Sequence, residues 1–324
     1  MPLPNPERSA EGAAGARIAG AAMQSNGSEE VALVHLPAAG SASAAPVQDS
    51  APDAISSAVD PDLTPKAADS AAWADRIFDA TAFDEPVDWE GLPVRRLHVI
   101  YPGHLGFRRG QAGYWDTLPP ESEIRERIRR LPEAKMYCLD VEHWPVLTED
   151  SAARTSAIDR LIRLLEIFRE ERPGVRLGYW GIFPQYTYVQ ARRYPEPSNP
   201  GMFAAQQQLN REAQRLVDAV DLIFPAIYAW DTGAGARPTH ELWVSRARAM
   251  LDEAKEAGKP VIAFLWTAKG ASTDFWRLQL EVALEEADAV AIWGHESWSP
   301  KSAWRLETLR LMREGLSLER SSFD

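Results

Sequence analysis

The sequence predicts an α/β protein, a distorted TIM-like (β/α) barrel of seven or eight strands that follows a disordered N-terminal segment. Three observations predict this fold. Short apolar runs alternate with amphipathic segments of ten to twenty residues, as parallel strands alternate with their covering helices. The 234 residues after residue 90 approach the ~250 of a typical barrel. No glycine-rich phosphate-binding fingerprint follows a strand, which disfavours the alternative, a doubly wound open sheet.

The chain divides by composition at about residue 88. Residues 1–87 are predicted to be a disordered, acidic, low-complexity tail, and residues 88–324 the barrel. The tail is rich in Ala, Ser, Pro, Gly and Asp, a composition that buries too little apolar surface to offset the entropy of ordering. A short helix is expected near Ser70–Ala80. Residues 1–90 hold four basic and fifteen acidic side chains, against 31 and 32 afterwards, so the acidity of the chain carries no information about a ligand of the barrel.

The elements follow from apolar runs and their Pro and Gly boundaries. Pro119 and Pro120 precede the first helix, Pro132 follows it, and Pro173-Gly174 closes the second. Helices are predicted at Glu121–Leu131, Asp150–Glu171, Met202–Ala219, Glu241–Ala257, Asp274–Glu286 and Ala303–Glu314. Strands are predicted at Arg96–Tyr101, Met136–Val141, Val175–Phe183, Leu222–Tyr228, Val261–Trp266 and Ala289–Trp293. One or two further short strands are expected near Gly113–Leu118 or Gln185–Arg193.

Two carboxylates, Asp140 and Glu142, stand at the end of the strand that begins at Met136. Residues two apart on a strand share a face, so the two acids should lie close together. Like charges in a partly buried site cannot both ionise cheaply, so one pKa should rise. A protonated acid beside an ionised one is what glycosidic bond cleavage requires. The structural alternative is a pair of solvated acids bridged to an arginine.

Aromatic side chains occur at nearly every predicted strand end, where barrel enzymes place their chemistry. Aromatic rings have flat apolar faces and polar tips that suit sugar rings, so these positions favour a saccharide cleft over core packing. The residues expected to contact a sugar are Tyr101, Trp144, Tyr179, Trp180, Tyr186, Trp230, Asp231, Trp266 and Trp293.

Other kinds of site have weaker support. The histidines lack close metal-ligand spacing, no Gly-x-Ser-x-Gly elbow is present, and the single cysteine, Cys138, lies in an apolar strand. No cofactor or metal is therefore predicted. No basic run or zinc-knuckle spacing points to nucleic acid, and no stretch approaches ~20 apolar residues, so no membrane partner is expected. The oligomeric state stays open.

Four segments resemble, in order, the hyaluronidase family of glycoside hydrolases. Asp140-Val-Glu-His-Trp-Pro145 is similar to the family's Asp-Trp-Glu-x-Trp-Arg-Pro segment. Gly178–Pro184 is similar to its Trp-Gly-Phe-Tyr-x-Phe-Pro segment, Phe224–Tyr228 to its Pro-Ser-Ile-Tyr and Ile292–Gly294 to its Ile-Trp-Gly. The helix and strand of Val244–Trp266 also resemble its Arg-rich helix and Pro-Val-x-x-Tyr strand. The matches extend over roughly residues 95–300, and their joint order is the specific feature.

The resemblance implies a retaining cleavage of a β-linked N-acetylhexosamine in which the 2-acetamido group of the substrate is the nucleophile. Glu142 would be the general acid and then the base, and Asp140 would hold the acetamido N–H. Tyr228 would hydrogen-bond the acetamido oxygen, and Trp293 would wall the subsite. The partner would be a polysaccharide or oligosaccharide. The alternatives are a non-catalytic carbohydrate-binding barrel and a metal-dependent hydrolase on the same fold.

The chain also departs from the family. The family's paired cysteines and the arginine after its motif tryptophan have no counterpart in these segments, and its C-terminal disulfide-linked module is not expected. Its second active-site tyrosine falls at Trp180, with Tyr179 or Tyr186 as substitutes. A secreted or periplasmic location is expected for a polysaccharide hydrolase, although the sequence has no convincing signal peptide, because Glu29-Glu30 precedes the short apolar run of residues 31–34.

Overall fold

The computed structural model describes residues 76–83, 86–108, 117–144, 146, 148, 150–184, 200–229, 240–267, 272–294 and 303–322, without the side chains of residues 202, 203 and 315–322. Within these ranges the strands are β1 (Ile77–Asp79), β2 (Arg95–Arg96), β3 (His98–Ile100), β4 (Met136–Leu139), β5 (Arg176–Tyr179), β6 (Ile262–Trp266) and β7 (Ala289–Trp293).

The helices of the described residues are α1 (Glu121–Arg130), α2 (Ser151–Glu171), α3 (Pro200–Glu212), α4 (Gln214–Ala219), α5 (His240–Glu256), α6 (Thr273–Glu286) and α7 (Ala303–Ser322). The Asp150 carboxylate caps α2 by accepting from the amides of Ala152 and Ala153, and the Ser272 hydroxyl caps α6 by accepting from the amide of Phe275. In the part of the chain that the structure describes, no helix has the length and apolarity to span a bilayer.

The strands close into a parallel barrel. One sheet has the order β2-β1-β7-β6 and the other β3-β4-β5. Only Leu97 separates β2 from β3, and its amide donates to the carbonyl of Asp79 at 2.9 Å, so the two sheets are continuous there. On the other side, parallel bridges pair Trp180 with Phe224 and Ile223 with Val261. The segment around residues 223–226 therefore joins β5 to β6 and completes the ring.

Side chains alternate between two apolar layers. Cys138, Phe264 and Ala291 belong to the cluster that fills the barrel interior, while Leu139 and Leu265 belong to the larger cluster between strands and helices. This alternation follows from the two-residue period of a strand. Both layers are closely packed, because Phe264 and Leu139 are fully buried. The predicted (β/α) barrel is confirmed.

Four predictions about elements need correction. Residues 77–79 form a strand where the end of a short helix is predicted, because β1 pairs with β2 and β7, and a three-residue run shows no period in the sequence. The predicted strand Arg96–Tyr101 is broken at Leu97 into β2 and β3, which belong to different sheets. The predicted strand Leu222–Tyr228 is reduced to isolated bridges. The predicted strand Val175–Phe183 is shortened to Arg176–Tyr179, because a turn begins at Gly181. The further strands expected near residues 113–118 and 185–193 lie largely or wholly outside the described residues.

The predicted helices are otherwise found with their ends shifted by a residue or two, with two exceptions. The helix expected at Met202–Ala219 is divided into α3 and α4 at Ala213, and α7 continues beyond Glu314 to Ser322. The predicted domain boundary at residue 88 stays a prediction, although β1 precedes it and belongs to the barrel.

Candidate active site

Asp140 lies directly after β4, on the interior side of the barrel wall. Its amide donates to the carbonyl of Ile100 at 3.0 Å, which extends the pairing of β3 with β4 by one residue. Cys138, two residues earlier, lies in the interior cluster, so alternation places Asp140 on the same face. Its Oδ1 atom is inaccessible to solvent and has no hydrogen-bond partner among the described residues. A polar atom buried in this way at a strand end is available to a ligand.

The carboxyl groups of Asp140 and Glu142 contact each other. Burial raises the pKa of Asp140 from 3.8 to about 6, and a hydrogen bond with the side chain of Glu142 opposes the rise. Glu142 itself is exposed, in the turn after the strand. A raised pKa, as expected for one member of the pair, is thus found at Asp140. The pair retains a proton near pH 6, and its apparent pKa values belong to the pair as a whole.

Four aromatic side chains form a cluster at the same end of the barrel, and we call Trp180, Tyr228, Trp266 and Trp293 the aromatic cluster. The ring centroid of Tyr228 lies 5.7 Å from that of Trp180, 5.7 Å from that of Trp266 and 6.2 Å from that of Trp293. Trp266 and Trp293 are 6.0 Å apart. Tyr228 and Trp180 are buried, whereas Trp266 and Trp293 are partly exposed. We call the partly exposed pair, Trp266 and Trp293, the wall of the candidate site.

Tyr101 connects the carboxyl pair to the aromatic cluster. Its hydroxyl accepts a hydrogen bond from the indole nitrogen of Trp293 at 2.9 Å. Burial raises the pKa of Tyr101, and the nearby Asp140 carboxylate raises it further. Tyr101 is therefore a neutral phenol that lies within electrostatic range of the Asp140 carboxyl and in direct contact with the wall of the site.

His104, to which the sequence analysis assigns no role, supports Tyr101. Its Nδ1 atom accepts from the amide of Tyr101 at 3.2 Å, and the two rings are 5.7 Å apart in an edge-to-face arrangement. Burial lowers the pKa of His104, so the ring is neutral at pH 7. The signal that could have identified it is the three-residue spacing from Tyr101 across Pro102-Gly103, which is typical of a tight turn.

Two residues predicted to contact a sugar lie away from the site. Trp144 is 1% exposed and packs against Phe107, with the Arg160 guanidinium 5.0 Å from its ring centroid. Tyr179 is buried, and its hydroxyl donates to the carbonyl of Leu161 in α2 at 2.9 Å. Tyr179 points outward because it is adjacent to the inward-facing Trp180. Both belong to the layer between strands and helices.

The remaining predicted residues divide as follows. Tyr186, Trp230 and Asp231 lie outside the described residues. The structure brings together Asp140, Glu142, Tyr101, Trp180, Tyr228, Trp266 and Trp293. Across the described ranges, no group of three or more His, Cys, Asp or Glu side chains could hold a metal ion. The arrangement offers three chemical features. They are a carboxyl pair that retains a proton near pH 6, the phenol hydroxyls of Tyr101 and Tyr228, and the aromatic wall of Trp266 and Trp293.

Comparison with known proteins gives similarity at the level of structure alone. No family model matches the chain, and no curated protein sequence matches it significantly. Bee venom hyaluronidase in a monoclinic crystal form superposes with a TM-score of 0.50 and 14% identity, over 74% of this chain and 98% of that one. The fold is that of bee venom hyaluronidase. The distant resemblance to hyaluronidases that the ordered motifs predict is thus matched by the fold.

Two further solved structures are similar at a lower level. Bee venom hyaluronidase in complex with a hyaluronic acid tetramer gives a TM-score of 0.46 and 16% identity, over 69% of this chain and 86% of that one. The hyperthermostable endo-1,4-β-D-mannanase of Thermotoga petrophila RKU-1, with maltose and glycerol, gives a TM-score of 0.43 and 12% identity, over 68% of this chain and 76% of that one.

Proposed function

We propose that this protein is a glycoside hydrolase that cleaves a polysaccharide or oligosaccharide containing N-acetylhexosamine, with retention of the anomeric configuration. Glu142 is the general acid and then the base, and Asp140 and Tyr228 orient the substrate. One observation carries the proposal: the carboxyls of Asp140 and Glu142 are in contact at a barrel strand end, and burial raises the pKa of Asp140 to about 6. Such a pair supplies both a proton and a negative charge near neutral pH.

The direction of proton movement follows from solvation. In the free protein Asp140 is the more buried of the two carboxyls, and burial disfavours its ionised form. A sugar lying over the exposed Glu142 would remove water from its carboxyl, which raises the pKa of Glu142. The proton then resides on Glu142, which donates it to the leaving glycosidic oxygen, and Asp140 is left ionised. An ionised Asp140 can accept the acetamido N–H through its buried Oδ1 atom.

The nucleophile in this proposal is the acetamido oxygen of the substrate. It bonds to the anomeric carbon as the glycosidic bond breaks, and the departing oxygen takes the proton of Glu142. That bond closes a five-membered ring between the acetamido group and the sugar. The Glu142 carboxylate then accepts a proton from water, whose oxygen attacks the anomeric carbon and opens this ring. Two displacements at one centre retain its configuration. Contact between the carboxyls favours this course over an inverting one, which places its carboxyls about 6.5–9.5 Å apart.

Binding would come from the aromatic cluster. Trp266 and Trp293 present partly exposed ring faces, which suit the apolar C–H faces of a pyranose. Tyr101 and Tyr228 supply hydroxyls beside them. The fold shared with bee venom hyaluronidase is the reason to test N-acetylhexosamine polysaccharides first and endo action before exo action.

The test is release of reducing ends from a panel of polysaccharides with and without N-acetylhexosamine, followed by NMR assignment of the first-formed anomer. We expect hydrolysis of an N-acetylated substrate with retention. Inversion would contradict the neighbouring-group course. Binding to glycans without turnover across the whole panel would establish the non-catalytic reading, and activity lost to a chelator and restored by a divalent metal would establish the metal-dependent one.

A further inference from the structure

The indole of Trp180 donates from its nitrogen to the hydroxyl oxygen of Tyr228 at 3.1 Å. Both residues are buried, at 6% exposure each. A phenol hydroxyl has one hydrogen and accepts through its lone pairs. Once the indole N–H occupies a lone pair of that oxygen, the phenol hydrogen must rotate away from Trp180. The contact therefore sets the direction in which Tyr228 can donate.

The backbone holds the indole of Trp180 in place. The amide of Trp180 donates to the carbonyl of Leu139 at 2.9 Å, and the amide of Gly181 donates to the carbonyl of Phe224 at the same distance. The preceding residue, Tyr179, is fixed on the opposite face by its hydrogen bond to Leu161. Trp180 is thus attached to the neighbouring strands on both sides, and its donor direction is set by the barrel wall.

The same relationship occurs a second time in the site. The indole of Trp293 donates to the hydroxyl of Tyr101 at 2.9 Å. In both pairs the indole comes from one strand end and the phenol from another, and in both the phenol oxygen is the acceptor. In both pairs, therefore, the phenol hydrogen points away from the indole.

We propose that Trp180 is a positioning residue that acts through Tyr228: its N–H orients the phenol hydrogen so that Tyr228 donates to the carbonyl oxygen of the acetamido group of the substrate. Trp180 thus does not replace the family's second active-site tyrosine by touching the sugar. The inference rests on the proposed function, because it names how one of the substrate-orienting residues is held. Preorganised donors of this kind act without reorganisation during the reaction.

The variant that tests the inference is Trp180→Phe, which keeps an aromatic ring and removes the N–H. We expect kcat to fall about 3- to 10-fold, the effect of one neutral hydrogen bond, with a smaller change in KM. In a Tyr228→Phe background the same change should have no further effect on kcat, because the phenol through which it acts is absent. Independent effects, in which the two losses multiply, would overturn the inference.

A matched control is Trp276→Phe in α6. The indole of Trp276 is also buried and donates to the hydroxyl of Thr308 at 2.9 Å, in the layer between strands and helices. Its loss should lower Tm by an amount similar to Trp180→Phe while leaving kcat unchanged. An equal fall in kcat in both variants would mean that Trp180 is merely structural.

Failure of the inference is distinguishable from failure of the proposed function. If the protein hydrolyses an N-acetylated glycan and Glu142→Gln is inactive, but Trp180→Phe and Tyr228→Phe are multiplicative, the function stands and the role of Trp180 is refuted. If Glu142→Gln retains full activity, the proposed function fails first and the inference fails with it.

Discussion

The indole nitrogen of Trp293 donates to the hydroxyl of Tyr101 at 2.9 Å, joining the end of β7 to the turn that follows β3. The same hydroxyl lies close enough to Asp140 for the carboxylate to raise its pKa. One polar contact therefore connects the wall of the proposed sugar site to the carboxyl pair, across two strand ends far apart in sequence.

Trp293→Phe should weaken oligosaccharide binding, because the variant loses both the indole area and the N–H that holds Tyr101. We expect the Kd of an N-acetylated oligosaccharide to rise about tenfold, measured by calorimetry in the Glu142→Gln background to prevent turnover. Thermal unfolding in the absence of ligand provides the control for folding. An unchanged Kd would remove Trp293 from the proposed site.

Asp140→Asn should change how stability depends on pH. In the wild-type protein the pKa of Asp140 is raised from 3.8 to about 6, so the folded state holds a proton that the unfolded chain releases. Wild-type stability therefore falls as pH rises from about 4 to just above 6. Asparagine does not titrate, so the free energy of unfolding of the variant should rise by about 1–3 kcal/mol relative to that of the wild type across this pH window.

The measurement for Asp140→Asn is urea unfolding of both proteins between pH 4 and pH 8. The free energy of unfolding of the variant minus that of the wild type should be lowest at pH 4, rise to about pH 6 and then level off. Hydrolysis by the variant should fall sharply. A difference that shrinks as pH rises would show that the carboxyl is stabilised as an anion, contrary to the structure.

Tyr179→Phe distinguishes a tyrosine that stabilises the barrel from Tyr228, which is proposed to bind the substrate. Because the Tyr179 hydroxyl donates to Leu161 in α2, its removal should cost about 1 kcal/mol of stability and leave kcat within about twofold. Tyr228→Phe is the matched variant, and there we expect kcat to fall at least tenfold. Thermal unfolding and initial rates of both proteins are the test. A fall in kcat for Tyr179→Phe would place it in the site after all.

Gly178→Ala tests the close contact between β5 and its neighbour. A Cβ at this position would lie 2.3 Å from the carbonyl oxygen of Leu222 and 2.7 Å from the ring of Phe224. Backbone cannot yield cheaply, so we expect a loss of at least ~2 kcal/mol. Gly201→Ala in α3 is the control, since nothing lies within 4 Å of its added Cβ, and alanine there should be neutral or slightly stabilising.

The sequence predicted the carboxyl pair well because the relevant physics is local. Asp140 and Glu142 are two residues apart at the end of an apolar run, and that spacing alone requires proximity. The same alternation requires that the adjacent side chains of Tyr179 and Trp180 lie on opposite faces of β5, so that only one of them can face the barrel interior. The rise in the pKa of Asp140 depends on burial by other strands, and the sequence does not report that.

Long-range pairing explains most of the remaining errors. β1 has three residues and becomes a strand through β2 and β7, which no local pattern shows. The break at Leu97 arises because one segment pairs first with β1 and then with β4. Trp144 stands in the family-like motif beside the acids, yet it packs with Phe107 and Arg160. Neither partner is evident before the chain folds.

Hydrolysis of an N-acetylhexosamine polysaccharide by the wild type and by Glu142→Gln, measured at the same protein concentration, tests the assignment of Glu142 as general acid and base. We expect the variant to keep its Tm and its oligosaccharide affinity and to lose hydrolysis by at least a thousandfold, about 4 kcal/mol in the barrier. Hydrolysis by Glu142→Gln at the wild-type rate would refute the assignment.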